Sequence, residues 1–221
     1  MYSSEEEQIE AIKKWWQENG AAVVIGVVVG FGALFGWQGW QKYQISQAES
    51  ASAIYSNIMQ SLEAGNPGNL ESIETSVDDL QQDYAGTPYA ALGSLAGAKA
   101  AVERSDMEGA KSRLQWVMDN AGQAELVNIA RLRLARIHIV AQEWDAATKL
   151  LNQSYPGSFT ASVDELLGDL HAAQGNIAEA REAYNRALSA EVPPSNRDLI
   201  QIKRDALIET AEPVEAEPAN A

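Results

Sequence analysis

The stretch LLGDLHAAQGNIAEAREAYNRAL, Leu166–Leu188, decides the fold. Apolar residues recur at helical spacing on both sides of Gly175-Asn176, which predicts two helices joined by a tight turn. Its small residues (Gly168, Ala180, Ala187) have a packing reason: they sit where the two helices of a hairpin cross most closely, and a large side chain there would force them apart. Moving back 33 residues gives the same frame in Leu134-Ala135, His138, Trp144, Ala147 and Leu151. A further 37 residues back gives Gly97-Ala98, Ala101, Met107, Ala110, Leu114 and Val117. Outward from these three units, Gly and Pro cluster at Gly65-Asn66-Pro67-Gly68, Gly86-Thr87-Pro88, Asn120-Ala121-Gly122, Pro156-Gly157 and Pro193-Pro194, which punctuate helix pairs. Residues 47–85 read as another, more degenerate helix pair.

The unit resembles a tetratricopeptide repeat: Leu-Gly, a ring residue three later, Gly at the turn, Ala in the second helix, then an aromatic and Ala. The resemblance implies an inner wall lined by the first helix of each hairpin. Its positions are Leu92, Leu95, Lys99 and Val102 in the first clear repeat, and Ile129, Leu132, Arg136, Ile139 and Val140 in the second. The third contributes Glu165, Asp169, Ala172 and Ala173, so the wall is apolar with two central cations at one end and acidic at the other. An apolar wall marks a partner or an unfolded-chain site, unless a helix from 47–64 or 197–209 fills it from within. The Lys and Asn clamp by which such repeats grip the carboxylate of a cytosolic chaperone cannot be assembled from these positions. Arg197–Glu209 reads as a terminal cap with Leu199, Ile202 and Ala206 on one face. Residues 211–218 lack the apolar content to fold and are expected to be disordered.

No charge occurs from Asn19 to Gln41. A hydrocarbon core about 30 Å thick needs roughly 20 apolar residues as a helix, and this run supplies them. Trp15 and Trp16 precede it and Trp37, Trp40 and Tyr43 follow, as amphipathic rings do at the two interfaces. Glu5, Glu6, Glu7, Glu10 and Glu18 oppose the basic start of a secretory signal, and the aromatic flank occupies the place of cleavage, so the reading is an uncleaved anchor. Lys13 and Lys14 before the span, against Lys42 after it, favour a cytoplasmic N-terminus. Ser4 with Glu7 forms a capping box for a short amphipathic helix carrying Ile9, Ile12 and Trp16, lying on the membrane and ended by Asn19-Gly20. Within the span, Ala22, Gly26 and Gly30 repeat on one face and Gly32 and Gly36 on another. Such spacing lets membrane helices approach closely, although glycine is also simply common there.

The chain therefore reads as all-α, with a single N-terminal transmembrane helix followed by an α-solenoid of tetratricopeptide-like hairpins. Its segments are an N-terminal cytoplasmic amphipathic arm (1–18), the anchor (19–41), a membrane-proximal helix pair (42–88), the repeats (89–192), the capping helix (193–209) and the tail (210–221). Chemistry is sparse. There is no cysteine, hence no disulfide, thiolate metal site or cysteine-linked lipid. With 16 basic against 31 acidic residues the net charge is −15, which repels nucleic acid. His138 and His171 occupy one repeat position and read as packing residues, with no metal, cofactor or small-molecule site and no nucleophile or phosphate-loop motif. The reading is a non-enzymatic protein.

The whole arrangement resembles the YfgM family, the ancillary subunits of the bacterial SecYEG translocon. The similarity is carried by Ala11-Ile12-Lys13-Lys14-Trp15-Trp16, Glu18-Asn19-Gly20, the Gly/Val-rich span ending in Gly36-Trp37, Arg131-Leu132-Arg133-Leu134-Ala135-Arg136, and Gly175-Asn176 followed by Ala180-Arg181. It extends to about Leu207; the Pro/Glu/Ala tail departs from the family pattern. What the resemblance implies is a cytoplasmic N-terminus, one inner-membrane helix and a periplasmic repeat domain. The implied partners are SecYEG, a PpiD-like periplasmic chaperone and exported polypeptide clients. The competing reading is a membrane-anchored scaffold for envelope assembly or cell division that binds no clients.

Overall fold

The computed structural model describes residues 3–64 and 70–209, all of whose regular elements are helical. They fall into two compact units, Met1–Ser50 and Ala51–Ala221. The first helix, α1 (Ser3–Glu63), contributes to both.

In the first unit the expected break at Asn19-Gly20 does not occur. The Asn19 side-chain amide donates to the carbonyl of Trp15 at 3.1 Å, so it feeds its own helix instead of capping it. Gly20 packs against the Trp16 indole, whose atoms lie 3.2 Å from where a Cβ would stand. A lone interior glycine costs about 1 kcal/mol, too little to interrupt so apolar a helix. The Ser4 end of the capping box lies outside the residues whose side chains are described. Past Gly20 the helix is apolar all round: Val28 is 65 % exposed and Phe35 65 %. Nearly all of this apolar stretch is exposed in the chain, unlike a helix packed in its own core. It is long and apolar enough to cross a membrane. A Cβ on Gly26, Gly30, Gly32 or Gly36 would meet nothing within 4 Å.

The second unit stacks hairpins. The end of α1 packs on α2 (Leu70–Asp83) through Ala51, Ile58, Ile73, Val77 and Leu80, so the first member of the pair read at 47–85 is the unbroken continuation of α1. There follow α3 (Pro88–Glu103) with α4 (Met107–Asn120), α5 (Ala124–Val140) with α6 (Trp144–Leu151), and α7 (Thr160–Ala173) with α8 (Ile177–Leu188). Trp116 packs against the two clusters on either side of α3 and Leu150 against the two on either side of α5, so the cores join into one. The first helices α3, α5 and α7 are neighbours in a row. The connection at 65–69 lies outside the described residues.

The small positions behave as the repeat frame requires. A Cβ on Gly168 would stand 2.4 Å from Cε1 of Tyr184 on its hairpin partner α8, and on Gly97 2.9 Å from Nε of Arg113 on its partner α4; Gly97 and Gly93 also approach α2 of the preceding pair, at Val77 (2.9 Å) and Leu80 (2.5 Å). Ala110, Ala135, Ala147, Ala180 and Ala187 are fully buried.

The turns share one backbone feature. Ser105, Gln142 and Gly175 are the positive-φ residues among those described, at 64°, 58° and 79°. They are separated by the same 37 and 33 residues as the repeat. In each turn the following amide bonds back across the helix end: Asp106 N–H to Ala101 O (2.9 Å), Glu143 N–H to His138 O (2.8 Å), Asn176 N–H to His171 O (2.8 Å). This is one left-handed C-terminal cap used three times. Two of the three pay the Cβ penalty of about 1–2 kcal/mol, partly offset by the higher unfolded-state entropy of glycine, about 0.5–1 kcal/mol. Gln142→Gly is expected to stabilise the repeat unit by about 0.5–1 kcal/mol in thermal melts, and Ser105→Gly likewise.

The capping helix α9 (Arg197–Glu209) is present but turned by about one residue, roughly 100°. The expected inward face is outward: Leu199 is 48 % and Ile202 65 % exposed, and Ala206 is exposed. Instead Ile200 is fully buried beside Ala180, Tyr184, Ala187 and Leu188, with Leu207 packed against them. Lys203 lies on the docked side too, its ammonium donating to Glu165 at 2.8 Å and Asp169 at 2.9 Å. The expected disorder of the tail falls on residues outside those described.

Candidate binding groove

The acidic end of the expected wall is closed. Glu165, 4 % exposed, accepts from Lys203 and, at 3.0 Å, from Asn196 Nδ2, while Asp169 accepts from Lys203 and from the Tyr184 hydroxyl at 2.8 Å. These acids hold α9. Burial raises the Glu165 pKa, but the hydrogen bonds from Lys203 and Asn196 outweigh it and hold the carboxyl below its usual range. Burial, then the Asp169 charge, push the Tyr184 phenol above its ordinary value, so it remains a donor.

The open part of the wall lies on α3 and α5, and the expected residues divide there. Leu95, Leu132 and Ile139 belong to the core, exposed by 6–9 %. Their role is to hold the wall, and Leu132→Glu would read out folding, not binding. Val102 and Val140 are surface residues of a cleft of about 410 Å³ between α3, α4 and α5, with Lys99 and Arg136 also on its lining. Leu92 and Ile129, half-buried, line a second cleft of about 340 Å³ with Tyr55, Met59 and Leu62 from the end of α1. A third of about 190 Å³ lies between α5 and α7, lined by Ile129, Leu132 and Phe159.

Arg133 lines all three clefts and was absent from the expected set. It is four residues from Ile129 and three from Arg136, so the helical period admits it as readily as Leu132. Among the described residues its polar contact is the Leu95 carbonyl at 3.4 Å. Although Arg133 is exposed as a residue, crowding around its guanidinium, then repulsion from Arg136, lower its pKa from the ordinary arginine value. Lys99 has an exposed partner in Glu103 at 3.7 Å, and Arg136 a distant one in Glu165 at 3.9 Å. Apolar clefts flanked by such cations can bury aliphatic side chains and pair a carboxylate.

The histidines divide as well. His138 is more than a packing residue: its Nδ1 meets the Glu143 carboxylate, which Lys111 also holds at 2.8 Å across to α4. His171 is half-buried, with no hydrogen-bond partner at Nδ1. Among the described residues no three His, Asp or Glu side chains converge as metal ligands would.

Hairpins crossed at glycine or alanine, capped by one left-handed turn and closed by a terminal helix, define a tetratricopeptide-type repeat protein, here carrying an apolar N-terminal helix. The family model for a tetratricopeptide repeat-like domain matches residues 13–209. The chain is 31 % identical over 203 residues to the Ancillary SecYEG translocon subunit of Escherichia coli (strain K12), covering 92 % of this chain and 96 % of that one. It is 33 % identical over 187 residues to the protein of the same name from Haemophilus influenzae, covering 84 % and 90 %. To that of Neisseria gonorrhoeae it is 26 % identical over 204 residues, covering 92 % and 97 %. The chain belongs to the family of ancillary SecYEG translocon subunits, the YfgM family. No solved structure gives a significant match.

Proposed function

We propose that this chain is a non-enzymatic ancillary subunit of the SecYEG protein-export translocon in the inner membrane. The 19–41 span anchors it, with the N-terminus in the cytoplasm and the repeats in the periplasm. There it works beside a PpiD-like periplasmic chaperone and assists polypeptides as they emerge, through protein–protein contacts of the repeat domain. The observation that carries this reading is the match to translocon-subunit relatives over 92 % of the chain, anchor and repeats together. The groove on α3 and α5 supplies the surface, since apolar clefts open to solvent on a helical repeat are suited to a polypeptide partner. The affinity for a flexible client is modest, because ordering the client offsets part of the contact energy.

The test uses the full chain extracted in mild detergent. Recovery of SecY, SecE and SecG with a membrane-anchored periplasmic chaperone is the expected result, and their absence overturns the reading. Photocrosslinkers at Val102 and Val140 should capture exported chains during secretion; capture of one folded partner alone would instead identify a scaffold. For orientation, Ser195→Cys should react with an impermeant thiol reagent in intact cells and Ser3→Cys should not.

A further inference from the structure

Three cations face the open groove of a chain whose net charge is −15: Lys99, Arg133 and Arg136. Arg133 stands between the two larger clefts and contributes to both, with a carbonyl as its polar neighbour. We infer that the groove binds an extended polypeptide segment in which an acidic residue is flanked on each side, two positions away, by a large aliphatic residue. The inference rests on the functional reading above and specifies the client chemistry of that surface.

Spacing and charge both support it. Ile129, half-buried on one cleft, and Ile137, a core residue that floors the other, are eight residues apart on α5, about 12 Å along the helix. In an extended strand, residues i and i+4 lie about 13 Å apart and share a face with i+2. Two aliphatic side chains so spaced enter the two clefts while the central carboxylate meets Arg133. The clefts have the volumes for them, about 410 and 340 Å³. Glu63, on the lining of the second cleft, is the carboxylate this arrangement must avoid, so the acid belongs between the apolar residues and not beyond them. The neighbouring acids are already engaged: Glu103 by Lys99, Glu165 by Lys203 and Asn196. A cationic segment is disfavoured by the same three charges.

The experiment measures binding of labelled peptides Leu-Ser-Asp-Ser-Leu, and the same sequence with Asn or Lys at the centre, to the full chain in non-ionic detergent. The Asp peptide is expected to bind about tenfold tighter than the Lys peptide, and Arg133→Glu to reverse that order. Arg133→Gln, which keeps length without charge, should abolish the preference; it carries the test if circular dichroism shows Arg133→Glu to be misfolded. Equal binding of the three peptides by the wild type overturns the acidic centre while leaving an apolar client groove. No peptide binding, with exported chains still captured at Val102, overturns the motif and leaves the proposed function standing. Loss of both overturns both. Two further results give the groove to another occupant and overturn the inference. One is binding strengthened about tenfold by ending the chain at Glu209, which assigns it to the chain's own acidic tail. The other is a dimer dispersed by the peptide, which assigns it to a second copy.

Discussion

Gly168→Val is expected to destabilise the repeat unit by about 3 kcal/mol and lower its melting midpoint by about 10 °C. The Cβ alone would stand 2.4–2.5 Å from two ring carbons of Tyr184, well inside contact distance. The ring cannot step aside at small cost. It is 3 % exposed, packed with Ala180, Ala187 and Ile200, and its hydroxyl is tied to Asp169 at 2.8 Å. Relief requires moving α7 from α8, which opens the core on which α9 also rests. Gly157→Ala, where a Cβ meets nothing within 4 Å, should change the stability by no more than about 0.5 kcal/mol. Melting of the full chain in detergent, followed by circular dichroism, separates the two. A Gly168→Val protein melting with the wild type would mean that the hairpin does not cross there.

That crossing was legible because its requirement is local and exclusionary: only a small residue fits between two close helices, so the sequence carries the mark at Gly168, Ala135 and Gly97-Ala98. The turns were half legible. Glycine at 175 announces a left-handed residue, whereas Ser105 and Gln142 adopt the same conformation at a cost and so look ordinary. Which side of a helix faces a partner was the hardest to read. On α5 the apolar residues Leu132 and Ile139 were natural candidates for an open wall, but burial of apolar area draws them into the core and leaves Arg133, Arg136 and Val140 outside. On α9 the apolar stripe Leu199, Ile202, Ala206 outweighs Ile200 and Leu207 in any periodicity count. The observed rotation buries Ile200 and pairs Lys203 with acids thirty-odd residues away, long-range contacts that periodicity does not contain.

That pairing carries the second large effect. Lys203→Ala is expected to cost about 3 kcal/mol and to release α9, seen as faster amide exchange over residues 197–209 with α3–α6 unchanged. Removing the ammonium leaves the Glu165 carboxylate, with 5 % of its side chain exposed, facing Asn196 and an Arg136 guanidinium no closer than 3.9 Å. Those two keep the loss at the lower end of the range for a broken buried pair. Because the penalty comes from stranded charge, Lys203→Met combined with Glu165→Gln should recover part of it, the Gln oxygen still accepting from Asn196 and Asp169 keeping the Tyr184 hydroxyl. The pH dependence follows from the signs. Glu165 titrates below its unfolded value, so its contribution is full above the usual carboxylate range and disappears as pH falls through the folded value. For Lys203, burial lowers the pKa, but bonds to Asp169 and Glu165 prevail and raise it, so its contribution is lost only as pH rises past the usual lysine range. In the wild type α9 should therefore stay docked at neutral pH and detach only in strong acid. In Lys203→Ala, burial acts on Glu165 without its main counter-charge, and the acid transition should move to higher pH. An acid transition at the same pH in both proteins would show that α9 is held by the burial of Ile200 and Leu207 alone.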